Sequence, residues 1–262
     1  MSEAAFARTL EFFGRESFDR IRRSSVAVIG LGGVGGHAAV ALARNGVGRL
    51  LLVDSDVITE SSLNRSPFAL PGDIGRYKAE LLAEHISAAC PGMQAKPLVL
   101  FVDENETAAI LDWKPDLVID SIDSLNPKVS LLEACVRAGV PVLSSMGASR
   151  RLDPSKLRID DISKTSGCPL ARKVRSYLGR RGIRSGIRCV FSTEVPPVEA
   201  GPPDGSEMLE RRGRVRRRLP GIGPLPGIFG YACAAEALRL LASPVSEEKT
   251  SNTQKSSVTS PQ

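Results

Sequence analysis

Gly30, Gly32 and Gly35 stand at G-x-G-x-x-G spacing directly after the apolar run SVAVI. A turn of this kind at the start of a helix aims backbone N–H groups at a phosphate, and residues without side chains let that phosphate come close. Asp54 closes the next apolar run, RLLLV, where a carboxylate can accept ribose hydroxyls. Asp56, Asn64, Arg65 and Lys78 follow, and Asp123 closes a further apolar run. Cations beside a phosphate site suit triphosphate chemistry, because charge develops on the departing pyrophosphate. An acid at a neighbouring strand end can hold Mg2+. Each cation alone reads as solvated surface and the glycine turn alone could serve only packing, and their convergence on one sheet edge is what predicts a nucleotide site.

The glycines do not say which nucleotide. A nicotinamide-dependent dehydrogenase would use the same turn and the same acid. It would also need a hydride-transfer apparatus, and the chain has two histidines, His37 and His85, each inside a predicted helix. Cys168, before a predicted helix start, is a candidate nucleophile, since a helix N-terminus lowers a thiol's pKa. Cys189 is a second without that ground, but an unremarkable thiol is the plainer reading of both. Cys90, Cys135 and Cys233 fall on apolar helix faces and read as core. With no C-x-x-C pair, neither a zinc site nor a disulfide framework is expected, and a reducing cytoplasm is.

The elements that must position these residues alternate. Residues 25–30 read as a buried strand, 37–46 as a helix former ending on Gly46, and 49–54 as a second strand, which with the glycine turn make a βαβ unit. A helix over 75–90, a strand over 95–102, a short helix within 103–111 and a strand over 116–123 follow. Next come a helix capped by Asn126 with Pro127 first, ending at Gly139, and a strand over 140–145. Such alternation predicts an α/β fold, a doubly wound, mostly parallel sheet with helices on both faces. A C-terminal strand/loop/helix extension completes it: a basic helix over 169–182, a strand over 187–197, a long loop over 199–226 and an apolar closing helix over 227–242. The expected organisation is an N-terminal helical arm (1–24), a nucleotide-binding core (25–163), a basic extension (164–242) and a Ser/Thr-rich disordered tail (243–262).

The chain has 262 residues, 42% of them hydrophobic, and a net charge of +6. That excludes a wholly disordered polymer. No uncharged apolar run approaches the ~20 residues of a spanning helix, and the closing helix, broken by Glu236 and Arg239, reads as too short to span, so no integral membrane segment is expected. The charged first residues do not read as a secretory leader. Residues 172–218 hold 13 basic side chains against 5 acids, and the remainder carries 22 against 24. A block at +8 on a body at −2 points to a polyanionic partner, with Arg172, Lys173, Arg175, Arg211, Arg212, Arg214, Arg216, Arg217 and Arg218 as the candidate nucleic-acid surface.

Taken together, GLGGVGG, VDSDVITESSLNR, GRYKAE and IDSID resemble the adenylation domain of the ubiquitin-activating-enzyme-like superfamily, whose core is Rossmann-like. FARTLEFFG, DISKTSGCPLARKVR and CVFSTE make the chain most similar, within it, to the tRNA threonylcarbamoyladenosine dehydratases. The resemblance implies that Gly30, Gly32, Gly33 and Gly35 line the ATP phosphates and Asp54 binds the ribose. It implies that Arg65 and Lys78 hold the triphosphate and Asp123 holds Mg2+. Arg8 matches an arginine that reaches the partner subunit's ATP site, which implies a homodimer. Ser62 stands where the superfamily commonly has Asn. A sulfur-relay partner, a cysteine desulfurase, is linked with these dehydratases. The implied reaction adenylates a threonyl carboxylate beside the anticodon and closes a ring.

Three other readings compete. An activator of a ubiquitin-like sulfur carrier would share the adenylation site, but many such activators carry paired zinc ligands, and the basic segment fits RNA better. The Arg65/Lys78 cluster disfavours an oxidoreductase. A non-catalytic RNA-binding module is disfavoured by the phosphate-site residues being intact except at Ser62.

Overall fold

The computed structural model describes residues 2–196 and 219–243, and the backbone of 203–208 and 215–217. A seven-stranded sheet runs in the order β3-β2-β1-β4-β5-β7-β6. Its strands are β1 (Ser25–Ile29), β2 (Arg49–Val53), β3 (Gln94–Leu98), β4 (Leu117–Asp120), β5 (Val142–Ser145), β6 (Leu157–Asp161) and β7 (Arg188–Ser192). Six of the strands are parallel, and β6 pairs antiparallel with β7 at the edge. β1, β4 and β5 are buried throughout, as central strands of a covered parallel sheet must be, and Ser25, Asp120, Ser144 and Ser145 are buried with their apolar neighbours.

Helices cover both faces. α3 (Gly35–Arg44), α4 (Lys78–Ala89) and α8 (Pro224–Ala242) pack into one core with Val26, Val28, Leu50 and Leu52. α5 (Thr107–Leu111), α6 (Leu125–Ala138) and α7 (Pro169–Arg180) pack into the other with Ala27, Ile29, Leu51 and Val118. Alternate residues of β1 and β2 thus serve opposite cores, the period of two that a pleated strand imposes. α1 (Ala7–Phe13) and α2 (Arg15–Arg23) form the N-terminal arm, which is tied to α8 by Arg20 donating to the Ala242 carbonyl at 2.6 and 2.9 Å.

Several boundaries differ from expectation for identifiable reasons. α6 begins at Leu125 with Ser124 as its N-cap, so Asn126 and Pro127 lie inside the first turn. Proline is tolerated there because first-turn N–H groups have no intrahelical partner. β3 ends at Leu98, and its Pro97 sits on an edge strand where a missing donor costs little. β6 was not expected: its alternation, Leu157-Arg158-Ile159-Asp160, is short and follows a proline-containing turn. The expected loop over 199–226 contains a hairpin of β8 (Pro203–Met208) and β9 (Val215–Arg217), and α8 begins within it at Pro224. The added turn makes α8 19 residues long, the one described helix with the length and apolarity of a membrane span. It is 56% buried within the protein, and Glu236 bonds Arg188 on β7 from it. The tail from 244 onward lies outside the described residues.

Candidate active site

β1 and β4 are neighbours although α3, β2 and β3 intervene in sequence. Their carboxyl ends therefore border the crevice where the strand order reverses, the place where open α/β sheets bind ligands. Two loops meet there. Gly30 has φ +84° and donates its N–H to the Val53 carbonyl, and a Cβ on it would press to 3.0 Å against the backbone of Ser121. Ser121 in turn donates its N–H to the Ile29 carbonyl at 2.8 Å. Gly35 opens α3, and a Cβ there would run into the Gly30 carbonyl oxygen. A Cβ on Gly32 would meet nothing within 4 Å, so the protein itself does not require glycine at that position. A group arriving from outside would.

Asp54 binds this turn directly. Its Oδ2 accepts from the Leu31 N–H at 2.6 Å, inside the glycine turn, and its Oδ1 accepts from the Asp56 N–H at 2.8 Å. Lys78, the first residue of α4, donates from Nζ to Asp56 Oδ2 at 2.9 Å. Burial pushes the Asp54 carboxyl above the ordinary aspartate range, against the pull of the Lys78 ammonium. Burial alone would lower Lys78, but Asp54 and Asp56 outweigh it and hold its pKa above the ordinary lysine value. The lysine is therefore a fixed positive charge at the sheet edge.

Arg65 completes the ring of groups. A Cβ on Gly33 would lie 3.2 Å from the Arg65 side chain. Its guanidinium donates to the Ser61 carbonyl and to Asn64 Oδ1. Asn64, Arg65 and Ser66 line a cleft of about 390 Å³ whose other wall is His37, the first turns of α8 and Tyr231. Asp123 is exposed beyond β4, and Ser124 donates to its Oδ1 at 3.3 Å. The arrangement can receive an anionic, phosphorylated ligand at the turn and offer it two cations and a nearby carboxylate.

The ThiF family model matches residues 6–260. The tRNA threonylcarbamoyladenosine dehydratase of Bacillus subtilis is 39% identical over 193 residues, covering 74% of this chain and 76% of the relative. The chain belongs to the ThiF family, among the tRNA threonylcarbamoyladenosine dehydratases. The Escherichia coli tRNA N6-threonylcarbamoyladenosine dehydratase in complex with ATP is similar at a TM-score of 0.79 and 30% identity, over 91% of this chain and 94% of that one. Its complex with AMP matches at 0.80, with the same identity and coverage.

The remaining expected residues fall into three sets. Arg8 is exposed on α1, and the neighbouring Thr9 donates to Asn45 at the C-terminal end of α3. Ten residues of α3 separate that end from the glycine turn, about 15 Å, so Arg8 is not in its own chain's site. Arg172 and Lys173 are exposed on α7, whereas Arg175 is half-buried and donates to the Thr165 carbonyl at 2.6 Å. Arg211, Arg212, Arg214 and Arg218 lie outside the described residues, and Arg216 and Arg217 are described only as backbone of β9. All five cysteines are buried, Cys168 at 4% exposure, and burial drives the Cys189 thiol far above its ordinary value. Ser62 is buried as well, with its Oγ 2.9 Å from Thr59 Oγ1 and accepting from the Thr59 N–H. Its hydroxyl closes a turn.

Two arrangements escape the sequence reading. Arg151, 5% exposed, donates to the carbonyls of Gly147, Gly167 and Glu194 and so clasps three loops beyond β5 and β7. Lys128 and Asp120 form an ion pair in which both side chains are 0% exposed. The signal for the second was present: Lys128 falls on the stripe of α6 shared by Leu131, Leu132 and Cys135, where an apolar residue is expected.

Proposed function

We propose that this chain uses ATP to dehydrate and cyclise threonylcarbamoyladenosine in tRNA, next to the anticodon, through an acyl-adenylate. The observation that carries the reading is the turn-to-carboxylate-to-lysine relay, Leu31 to Asp54 and Asp56 to Lys78, at the sheet's switch point in a chain of this family. The threonyl carboxylate attacks the α-phosphorus, the bond to the β-phosphate oxygen breaks, and pyrophosphate leaves. The activated carbonyl is then captured intramolecularly, which expels AMP and closes the ring with net loss of water. A capturing group within the same nucleoside has a high effective molarity, so the buried cysteines need play no part.

In this reading the N–H groups of the glycine turn hold the phosphates and Asp54 takes the ribose. Lys78 and Arg65 neutralise the charge that builds on the departing pyrophosphate. Asp123 would hold Mg2+. The donor set fits, since a single exposed hard oxygen suits an ion that takes its other ligands from phosphates and water. Among the described residues no cluster of three His, Cys, Asp or Glu offers a closed cage. Mg2+ supplies charge neutralisation on the phosphates when bound. Arg8, remote from its own site, serves the partner's site in a homodimer. The segment 172–218 receives the tRNA. The enzyme works in the cytoplasm, where its thiols stay reduced and a cysteine desulfurase can meet it.

ATP–pyrophosphate exchange measured with and without threonylcarbamoyladenosine-bearing tRNA tests this. Exchange that requires the modified tRNA is the expected result. Exchange driven by the Gly-Gly terminus of a carrier protein and indifferent to tRNA would overturn it.

A further inference from the structure

The buried Asp120–Lys128 pair is not part of the nucleotide-binding crevice, yet its bonds lead there. Asp120 is the last residue of β4, and Lys128 sits one turn into α6. Lys128 Nζ donates to Asp120 Oδ2 at 2.6 Å and to the Ile122 carbonyl at 2.9 Å. Asp120 Oδ1 accepts from the Ile122 N–H at 3.0 Å, and its Oδ2 also accepts from Ser144 Oγ at 2.6 Å. The acid thus holds the N–H of Ile122 and the base holds its carbonyl. That carbonyl belongs to the peptide that enters Asp123. Both peptide planes flanking Ile122 are fixed from inside the protein, while Asp123 itself stands exposed at the crevice.

Stability does not account for such a pair. Taking two charges fully out of water costs more than their attraction commonly returns, and apolar replacements of buried pairs are often neutral or stabilising. What the pair supplies is direction. An apolar side chain at position 128 would fill the core but could not hold a carbonyl.

We infer that Lys128 and Asp120 are positioning residues that fix the Ile122–Asp123 peptide, and so set the Asp123 carboxylate for the adenylation step. The inference rests on the role given above to Asp123. Partners that orient a ligating group are commonly worth about 10- to 100-fold in metal affinity or activity.

The test compares Asp120→Leu/Lys128→Met, which removes both charges and keeps the volume, with Asp123→Asn. The double variant keeps its thermal midpoint within a few degrees and its KM for ATP within about twofold, while kcat for ATP–pyrophosphate exchange falls about 10- to 100-fold. The Mg2+ concentration needed for half-maximal ATP binding, followed by calorimetry without turnover, rises, and amide exchange at Ile122 quickens. A folded double variant with wild-type kcat and an unmoved Mg2+ requirement overturns the inference. So does a loss of kcat that merely follows the fraction unfolded. Should the double variant not fold, Ser144→Ala loosens the Asp120 carboxylate without unbalancing charge: lowered kcat at unchanged KM is expected, and full kcat overturns the inference. Asp123→Asn that leaves exchange untouched fails the reading of Asp123 itself, a different result from an intact Asp123 effect with an inert pair.

Discussion

The ammonium of Lys78 lies 2.9 Å from Oδ2 of Asp56, and its side chain is 13% exposed while that of Asp56 is 43% exposed. One end of the contact is inside the protein and the other faces the crevice. With Asp54 behind it, this lysine is held charged and aimed, which is the state in which a cation can meet a leaving pyrophosphate without first being reorganised.

Lys78→Ala should therefore abolish adenylation, and it should not be silent for the fold. From its place at the start of a helix the sequence suggests an exposed lysine whose removal costs little, but the structure corrects that. Loss of the ammonium leaves Asp54 half-buried with its main compensating charge gone, at a cost of about 1–3 kcal/mol. Exchange assays and urea unfolding of the same variant separate the two effects. Retained exchange would remove Lys78 from the triphosphate site.

Gly35 and Gly32 predict opposite phenotypes. A methyl at Gly35 collides with the Gly30 carbonyl, so Gly35→Ala should lose about 2–3 kcal/mol of stability, as overpacked sites do. A methyl at Gly32 meets nothing in the protein. Gly32→Ala should keep the wild-type midpoint yet weaken ATP binding about 10- to 100-fold, through the loss of one charge-assisted bond of about 1.5–3 kcal/mol. Calorimetry on both variants decides it. A Gly32→Ala protein with normal ATP affinity would place the phosphates elsewhere.

Much of this was legible beforehand, because the elements that build the crevice are the ones with the plainest physical signals. Fully buried parallel strands must be apolar runs, and a turn pressed between Val53 and Ser121 must use glycine. The signals fail at the margins. β6 pairs with one neighbour and is half-buried, and its four alternating residues, Leu157 to Asp160, are too few to set it apart from loop. The hairpin of β8 and β9 is built from Pro-, Gly- and Arg-rich sequence that reads as loop. Ser62 and Arg175 look like ligand-facing polar residues, but each bonds within its own neighbourhood, and only three-dimensional packing decides that. Lys128 was hidden by its type: a lysine in a helix is assigned to solvent unless its stripe is compared residue by residue.

Glu236 predicts a specific acid response. On α8 it accepts from Arg239 Nε and Nη2 at 2.8 Å and from Arg188 Nε at 2.7 Å, and its side chain is 6% exposed. Arg239, then Arg188, hold its carboxyl below the ordinary glutamate range despite burial. A depressed folded-state pKa gives stability that is complete above the unfolded value, about 4.3, and is lost as pH falls below it. Glu236→Gln should cost about 1 kcal/mol at pH 7, discounted for the exposure of both arginines, and progressively less as pH falls through the folded-state pKa. Parallel denaturant titrations check this, and a cost that does not shrink on acidification counts against the ion pair as its source.

The basic segment divides into charges that stand exposed and charges already engaged, among the latter Arg181 on Glu133 and Arg188 on Glu236. Arg172 and Lys173 are exposed on α7, whereas Arg175 is occupied by Thr165. Replacing Arg172 and Lys173 with Ala should weaken tRNA binding at low salt and leave the thermal midpoint unchanged. The slope of log K against log salt should become shallower by about 0.7–0.9 for every phosphate that is no longer neutralised. Replacing the six arginines of 211–218 should flatten that slope further. Arg175→Ala should do the reverse, lowering the midpoint with little change in slope, because a guanidinium tied to a carbonyl of its own chain is not available to neutralise a phosphate. Filter binding across a salt series, run beside thermal melts, distinguishes them. A slope that responds to Arg175→Ala and ignores Arg172 and Lys173 would move the tRNA surface off the exposed face of α7.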